Sequence, residues 1–372
     1  MTDAAIPAPA TGDAVAAGIP EPGYERTRYV DSLIEQCRAA RAVGDRETAV
    51  ELVVDGLRSG LWRHRRLWSE LLSLMDKPAD YPELRSLWWE SPARCHGRVA
   101  ILRTVARAAS AAGEHDEARL LLRKAILLQA RRAQRLRSRL GRLKRAVLGR
   151  VAGRIRPSLA PFEQRAAIAL TALDEELGAL GVRSFLISGT LLGYLRDSAF
   201  ISWDKDIDVG VFTSEQRPSE LERAFTRSAQ FEVRRLDFNS DRLRVNHANG
   251  MMIDIFPHYQ DEDGRIWHDG TATRWWNSPF ELTTVEFLGR TQFVPDPPER
   301  YLDENYGDWR TPNQDFDARL DTPNVEVTDP DYLETLLYFS LLDAIAQRKP
   351  RRRERYLRLL RERGEGDWLD RC

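Results

Sequence analysis

The chain has little cysteine and no long apolar run. Its three cysteines, Cys37, Cys95 and Cys372, are far apart and odd in number. This spacing argues against a disulfide framework and a cysteine metal site, and it favours a reducing compartment. No apolar run reaches the roughly 18 residues of a membrane span. The Ala- and Pro-rich segment 1–23 lacks the basic start of a signal peptide, so we expect it to be disordered and the protein to be cytoplasmic.

The overall charge excludes one further class of protein. The net charge is −1, so no global positive field indicates a nucleic-acid partner. The apolar fraction of 42% is ordinary for a globular protein, and 372 residues give room for two domains.

The segment 24–130 predicts helix after helix. Gly44 and Gly113 each separate one helical pattern from an acidic start of the next, and they lie 69 positions apart, close to twice the period of tetratricopeptide repeats. A degenerate middle repeat would turn near residues 78–82. We therefore expect a helical-repeat (TPR-like) domain of about three helix pairs, with an unrelated helical bundle as the alternative.

The segment 131–157 predicts a basic amphipathic helix. It carries many arginines and no acid, and its apolar stripe is Leu136, Leu140, Leu143, Val147, Val151 and Ile155. One interpretation is a linker helix that packs on the repeats. The other is peripheral contact of residues 131–156 with an anionic membrane, close to an acceptor on a lipid carrier.

Three aspartates mark the most informative stretch of the chain. Asp204, Asp206 and Asp208 fall at alternate positions, and the apolar residues that follow continue the period of a strand. Asp206 and Asp208 therefore project to the same side. Two carboxylates held this close repel each other unless a cation neutralises them, and Mg²⁺ binds through such carboxylates together with substrate phosphates.

Two further segments complete this pattern. Upstream, Gly189 and Thr190 form a small-residue turn between an apolar strand and a short helix, a geometry that can bind a phosphate through backbone N–H groups. Downstream, Asp254 lies within an apolar strand, where a lone acid is either simply hydrogen-bonded or part of a site. Together with the paired aspartates, it favours metal-assisted phosphoryl or nucleotidyl chemistry.

These segments resemble the LicD family, which has the polymerase-beta-type nucleotidyltransferase fold. The resemblance rests on GTLLGYLRDSAFISWDKDIDVGV, IDIFPHY and FLGRTQFVPDPPERYLDENYGDWRTP, and it covers roughly residues 162–323. It implies an α+β domain with a mixed sheet, which we place at 158–372 together with the C-terminal helices. It also implies that Asp206, Asp208 and Asp254 bind Mg²⁺ or Mn²⁺, with Asp204 as a frequent additional acid.

Other residues are weaker candidates for substrate binding. Arg196 either binds a donor phosphate or pairs with a nearby acid. Trp203 either shapes the substrate pocket or packs in the core, and His247 either meets substrate or is a structural histidine.

The activity implied by the resemblance is transfer of a phospho-alcohol from a CDP-linked donor to a glycan. The alcohol phosphate would be phosphocholine, ribitol phosphate or glycerol phosphate. Asp254 would complete a second metal position or act as the base toward the acceptor hydroxyl. Two alternatives remain: a nucleotidyltransferase that acts on a small acceptor, and a helical-repeat scaffold that binds a partner protein.

Overall fold

The computed structural model describes residues 24–75, 77–143, 162–201, 204–234 and 240–372. These residues form two compact units. One contains the described residues up to 143 together with Glu334–Cys372, and the other contains those from 162 to Leu333. The segment expected to be disordered, 1–23, lies outside the described residues, as does Trp203.

The first unit begins with helices only. They are α1 (Tyr24–Ala42), α2 (Arg46–Gly56), α3 (Arg65–Leu74), α4 (Tyr81–Glu90), α5 (Val99–Ala111) and α6 (His115–Leu143), with a π-helical turn at Leu57–Leu61 and a 3₁₀ turn at Pro78–Asp80. The predicted linker helix begins inside α6, which is continuous to Leu143, and its remainder lies outside the described residues. Trp68 and Trp88 are fully buried with rings 5.9 Å apart, so they pack between helices.

The two predicted glycine turns share one backbone geometry. Gly44 and Gly113 both have φ of +83°, a left-handed conformation that glycine adopts without strain. At each turn the next N–H reaches a carbonyl five residues back, from Asp45 at 3.0 Å and from Glu114 at 2.9 Å. This pattern ends α1 and α5 in the same way. The 3₁₀ turn at Pro78–Asp80 lies where the middle turn was expected. The assignment to tetratricopeptide repeats stays a prediction.

Ion pairs repeat along the same helices. Three of them join residues 32 positions apart: Arg38 with Glu70 at 2.8 Å, Arg58 with Glu90 at 3.0 Å, and Arg85 with Glu117 at 2.9 Å. Surface ion pairs stabilise by at most about 1 kcal/mol each. These pairs are therefore more informative as markers of a regular offset between helix pairs than as sources of stability.

The second unit combines helices with a ten-stranded mixed sheet in the described residues. Its helices are α7 (Phe162–Ala179), α8 (Ser188–Asp197), α9 (Pro218–Arg227), α10 (Pro298–Tyr306) and α11 (Ala318–Asp321). Its strands are β1 (Ser184–Leu186), β2 (Asp206–Phe212), β3 (Phe231–Val233), β4 (Leu243–His247), β5 (Met252–Gln260), β6 (Ile266–Gly270), β7 (Thr273–Asn277), β8 (Glu281–Phe287), β9 (Arg290–Asp296) and β10 (Val325–Val327).

The strand order brings the acidic strands together. The main path is β10-β7-β6-β5-β2-β1-β9-β8, and β4 pairs with β5 on one side and β3 on the other. β2 is parallel to β5 and antiparallel to β1, so the sheet is mixed as expected. Ile207, Val209 and Val211 are fully buried, because alternate positions of β2 face the core.

The C-terminal helices belong to a different unit from the one the sequence suggested. They are α12 (Pro330–Ala346) and α13 (Pro350–Glu362), followed by a 3₁₀ turn at Asp367–Arg371. Residues from Glu334 onward group with the N-terminal helices rather than with 158–333. Two long-range pairs explain this: Arg103 binds Asp343 at 2.9 Å and Arg123 binds Glu365 at 2.8 Å. Chain order alone could not indicate these contacts.

Within the described ranges, every helix is too short or too polar to span a bilayer.

Candidate active site

The turn between β1 and α8 holds the acidic strand in place. The Thr190 hydroxyl accepts a hydrogen bond from the Asp208 N–H at 2.8 Å, and Thr190 is only 1% exposed. The Gly189 N–H donates to Oδ2 of Asp208 at 3.3 Å. A Cβ on Gly189 would lie 2.5 Å from Oδ2 of Asp204, so the carboxylates approach too closely for any larger residue.

This geometry gives the turn a role within the protein that the sequence did not predict. The sequence predicted that Gly189 and Thr190 bind a substrate phosphate. In the structure, however, both already contact Asp208, and the Thr190 side chain is enclosed. These two groups therefore position the Asp208 strand and its carboxylate, and binding of a phosphate by the turn stays a prediction.

The three aspartates of the strand region strongly affect each other. Burial, together with the neighbouring Asp206 carboxylate, raises the pKa of Asp204 to about 6. Burial also raises the pKa of Asp208 well above its usual range, and the charges of Asp206, Asp254 and Asp204 add to this effect. Each shift has the same cause: carboxylates crowd together away from water, which favours the protonated forms until a cation arrives.

Asp254 joins the cluster from β5 and already has cationic partners. It is 2% exposed and lies directly opposite Asp208 in the parallel pair β2–β5. Nε and Nη2 of Arg244 donate to its two carboxylate oxygens. Nη1 of Arg242 lies 3.4 Å from Oδ2 of Asp254, and Nη2 of Arg244 also donates to Asp206 at 3.2 Å.

These side chains line one cavity of about 290 Å³. Its lining is Ser188, Asp206, Asp208, Arg242, Arg244, Asp254, Phe256, His268, Trp275, Asn305, Tyr306, Ala318 and Thr322. Acidic groups, two guanidinium groups and an aromatic wall thus converge in a space that admits a small polar ligand. Tyr306 is part of this wall, and burial keeps its phenol protonated by raising its pKa.

Two of the predicted substrate contacts lie away from this lining. His247 is 8% exposed, accepts the Asn249 N–H at Nδ1 (3.2 Å) and packs on Phe231, so it is a structural histidine here. Arg196 has a side chain that is 12% exposed, and its Nε lies 3.1 Å from the Asp197 carboxylate. This matches the ion-pair alternative for Arg196. Trp203 lies outside the described residues.

Sequence reasoning missed the roles of Arg242 and Arg244. Both precede Asp254 at alternate positions, and Arg244 pairs directly with Asp254 between the antiparallel strands β4 and β5. The alternation was visible in the sequence, since two basic residues two apart on a strand share a face. Their target was not visible, because it depends on the strand pairing.

The donor set fits a hard divalent cation. Among the described residues, no group of three or more His, Cys, Asp or Glu side chains already has the arrangement of a metal site. The crowded oxygens of Asp204, Asp206 and Asp208 nevertheless offer only the ligand type that Mg²⁺ and Mn²⁺ favour. Their mutual repulsion, seen in the raised pKa values of Asp204 and Asp208, is what such a cation would relieve.

A family comparison matches the part of the chain that carries most of the cavity lining. Residues 181–296 match the family described as LicD/FKTN/FKRP, nucleotidyltransferase domain. This confirms the resemblance predicted from the sequence for this region.

Three named proteins are similar to this chain over part of its length. The protein is 30% identical over 174 residues to the mouse (Mus musculus) protein named ribitol-5-phosphate transferase FKTN. The proteins of the same name from Macaca fascicularis and Homo sapiens are 28% identical over 174 residues. Each match covers 44% of this chain and 37% of the relative, so the chain matches little more than a third of their length.

Proposed function

We propose that the protein is a metal-dependent transferase that moves a phospho-alcohol from a CDP-linked donor to a glycan acceptor. The observation that carries this proposal is the cavity in which Asp206, Asp208 and Asp254 converge with two arginines. It lies chiefly within the region that matches a phosphotransferase family. Ribitol phosphate is the favoured cargo, because the relatives carry the name ribitol-5-phosphate transferase.

The metal would be held by Asp206 and Asp208, with Asp204 as an additional ligand. When bound, Mg²⁺ or Mn²⁺ would neutralise charge that develops on the transferred phosphoryl group and the leaving nucleotide. The protein's own part is to fix these acids. Thr190 holds the backbone of β2, and the missing side chain of Gly189 leaves room for the carboxylates.

The cavity walls provide the remaining interactions. Arg242 and Arg244 place positive charge beside the acids, suited to the phosphates of the donor. Trp275 and Phe256 offer apolar surface on which a sugar or a base could pack. In this arrangement positioning and electrostatic stabilisation carry the catalysis, as is usual in phosphoryl transfer.

A nucleotidyltransferase acting on a small acceptor is the nearest alternative, because it would use the same acids. The second alternative is not enzymatic: the helical unit would act as a scaffold that binds a partner protein. A panel of CDP-ribitol, CDP-glycerol and CDP-choline, each incubated with the protein and Mg²⁺, separates these possibilities. The proposal expects CMP from at least one of them. A second incubation supplies CTP and a sugar phosphate, and release of pyrophosphate there would favour nucleotidyl transfer. No turnover in either incubation would favour the scaffold.

We further propose that the acceptor glycan is lipid-linked and that the cytoplasmic enzyme contacts the membrane through 131–156. In support, Arg131, Arg132 and Arg135 are exposed on α6. Sedimentation with vesicles of phosphatidylcholine, with and without anionic phosphatidylglycerol, tests this at low and high salt. Binding only to anionic vesicles, and only at low salt, is expected. Equal binding to both vesicles, or none, would leave 131–156 as a linker.

A further inference from the structure

The candidate cavity has two electrically different sides. On one side, the Asp208 carboxylate accepts the Gly189 N–H, and among the described residues no cationic side chain hydrogen-bonds to it. On the other side, Asp254 is held by Arg244 and approached by Arg242. A divalent cation placed against Asp254 would lie next to two guanidinium groups, whereas at Asp208 it would meet carboxylates. Asp206 lies between the two sides, because Arg244 Nη2 reaches it at 3.2 Å. The charge pattern therefore separates a metal side from a phosphate side.

Arg244 has the geometry of a fixed anion ligand. Its Nε and Nη2 bind both oxygens of Asp254, and Nη2 also reaches Asp206 at 3.2 Å. A planar guanidinium held at two points has a set orientation. Its Nη1 makes no hydrogen bond among the described residues, and the side chain is 19% exposed and lines the cavity. That edge is available to a ligand.

Arg242 extends the same side of the cavity. Its guanidinium lies 5.7 Å from the centre of the Phe256 ring and 3.4 Å from Asp254, with 20% of the side chain exposed. Two arginines that line one cavity match the spread of charge on a diphosphate, because each can bind phosphate oxygens.

We propose that Arg242 and Arg244 bind the phosphate groups of the donor, and that Asp254 is a positioning residue that holds Arg244 rather than a ligand of the metal. This assignment rests on the proposed function for the identity of the donor. It divides the acids into two sets. Asp204, Asp206 and Asp208 bind the cation, whereas Asp254 orients Arg244, which in turn binds the donor phosphate.

The first arm of the test uses Mn²⁺ alone, followed by paramagnetic resonance or calorimetry. Asp208→Asn should weaken Mn²⁺ binding by about tenfold or more, since it removes a charged ligand. Asp254→Asn should bind Mn²⁺ within about twofold of wild type. If Asp254→Asn loses Mn²⁺ as Asp208→Asn does, Asp254 is a metal ligand and the assignment is wrong.

A second variant keeps the metal-binding result interpretable if Asp254→Asn does not fold. Asp254→Asn leaves the partly buried Arg244 charge with Asp206 as its remaining carboxylate partner, and weakening such a pair can destabilise the fold. The double variant Asp254→Asn/Arg244→Gln replaces both charges by neutral hydrogen-bonding groups, and it should also bind Mn²⁺ as wild type does. Melting curves establish which variants are folded.

The second arm uses inorganic pyrophosphate in the presence of Mn²⁺, which offers the diphosphate without base or alcohol. Arg244→Lys and Arg242→Lys keep the positive charge but lose the planar guanidinium that donates two parallel hydrogen bonds. Each should therefore weaken pyrophosphate binding by about tenfold. The matched control is Arg274→Lys, an arginine of similar exposure that binds Asp269 outside the cavity lining. It should bind as wild type does.

Wild-type affinity for pyrophosphate in both Arg242→Lys and Arg244→Lys would overturn the phosphate assignment. This outcome is independent of the proposed transfer reaction, because pyrophosphate binding needs neither CDP nor an alcohol. Conversely, a protein that binds pyrophosphate as described but releases no CMP from any CDP-alcohol would contradict the proposed function and leave the phosphate site standing.

Discussion

Asp208 and Asp254 lie directly opposite each other on the parallel strands β2 and β5. They are 46 positions apart in the sequence, and only the pairing of these strands makes them neighbours. In a paired ladder, opposite side chains point to the same side of the sheet. The result is a like-charge contact within the cavity wall, which contributes to the raised pKa of Asp208.

Replacing Asp208 tests whether these acids serve function rather than stability. Asp208→Asn should reduce CMP release from the donor at least about a hundredfold, because it removes a charge that would bind the metal. Without metal the variant should melt at the same or a higher temperature, because a crowded charge is gone. Exposed Asp263→Asn is the matched control and should change neither quantity. Loss of activity accompanied by loss of folding would contradict this account.

The pKa of Asp204 predicts a specific pH dependence. Its folded value of about 6 lies above the ordinary value of 3.8, so the folded state binds the proton more tightly than the unfolded state. The metal-free protein therefore loses this contribution to stability as pH rises from about 4 through 6. Asp204→Asn should consequently gain melting temperature relative to wild type at pH 7 but not at pH 4.

The quantity to compare is the difference in melting temperature between Asp204→Asn and wild type at each pH. Burial lowers the pKa of His258 to about 4, so its protonation destabilises the fold as pH falls below about 6.5, in the opposite direction. That effect is common to both proteins and cancels. A difference in melting temperature that does not change between pH 4 and pH 7 would show that Asp204 is not perturbed.

Gly189 offers a test of how tightly the carboxylates are packed. Gly189→Ala would place a Cβ 2.5 Å from Oδ2 of Asp204, so that carboxylate must move. The helix itself should not suffer, since alanine favours a helix over glycine by up to about 1 kcal/mol. We expect weaker Mn²⁺ binding and slower CMP release in a protein that is fully folded.

Gly178 in α7 provides the matched control, because a Cβ there meets nothing within 4 Å. Gly178→Ala should raise the melting temperature slightly and leave Mn²⁺ binding unchanged. If both variants keep wild-type Mn²⁺ affinity, the close approach of Gly189 to Asp204 has no functional meaning.

The division into units predicts which truncation keeps the chemistry. A chain of residues 151–333 should fold and release CMP slowly, since every cavity residue lies within it. A chain of residues 151–372 should be less soluble, because it lacks Arg103 and Arg123, the partners of Asp343 and Glu365. The C-terminal helices would then expose apolar surface. Size-exclusion chromatography and CMP release measure both properties. Equal behaviour of the two chains would contradict the assignment of α12 and α13 to the helical unit.

Local patterns in the sequence were enough to predict the central elements of the site. The alternation of Asp206 and Asp208 with buried aliphatic residues indicated β2, and the apolar run around Asp254 indicated β5. The turns at Gly44 and Gly113 followed from glycine and the acidic residues after it. All of these depend on residues close together in the chain.

The features that sequence missed depend on contacts between distant segments. Arg244 belongs to the site because β4 pairs with β5, and its partner lies ten positions along the chain. Thr190 proved to support β2 because its hydroxyl meets the Asp208 N–H across the fold. His247 resembled a substrate ligand by its position but is enclosed beside Phe231. Pairing and burial, rather than residue type, decided each role.

The phosphorus atom that is attacked can be identified by following oxygen during slow hydrolysis of CDP-ribitol in H₂¹⁸O with Mg²⁺. Transfer of a phospho-alcohol requires attack on the phosphorus next to ribitol, so water should place ¹⁸O in ribitol 5-phosphate and release unlabelled CMP. Mass spectrometry of the two products reads this directly, and Asp208→Asn should abolish both. The account is contradicted if ¹⁸O appears in CMP, because the enzyme would then attack the nucleotide phosphorus, or if the Asp208→Asn variant hydrolyses the donor as fast as wild type.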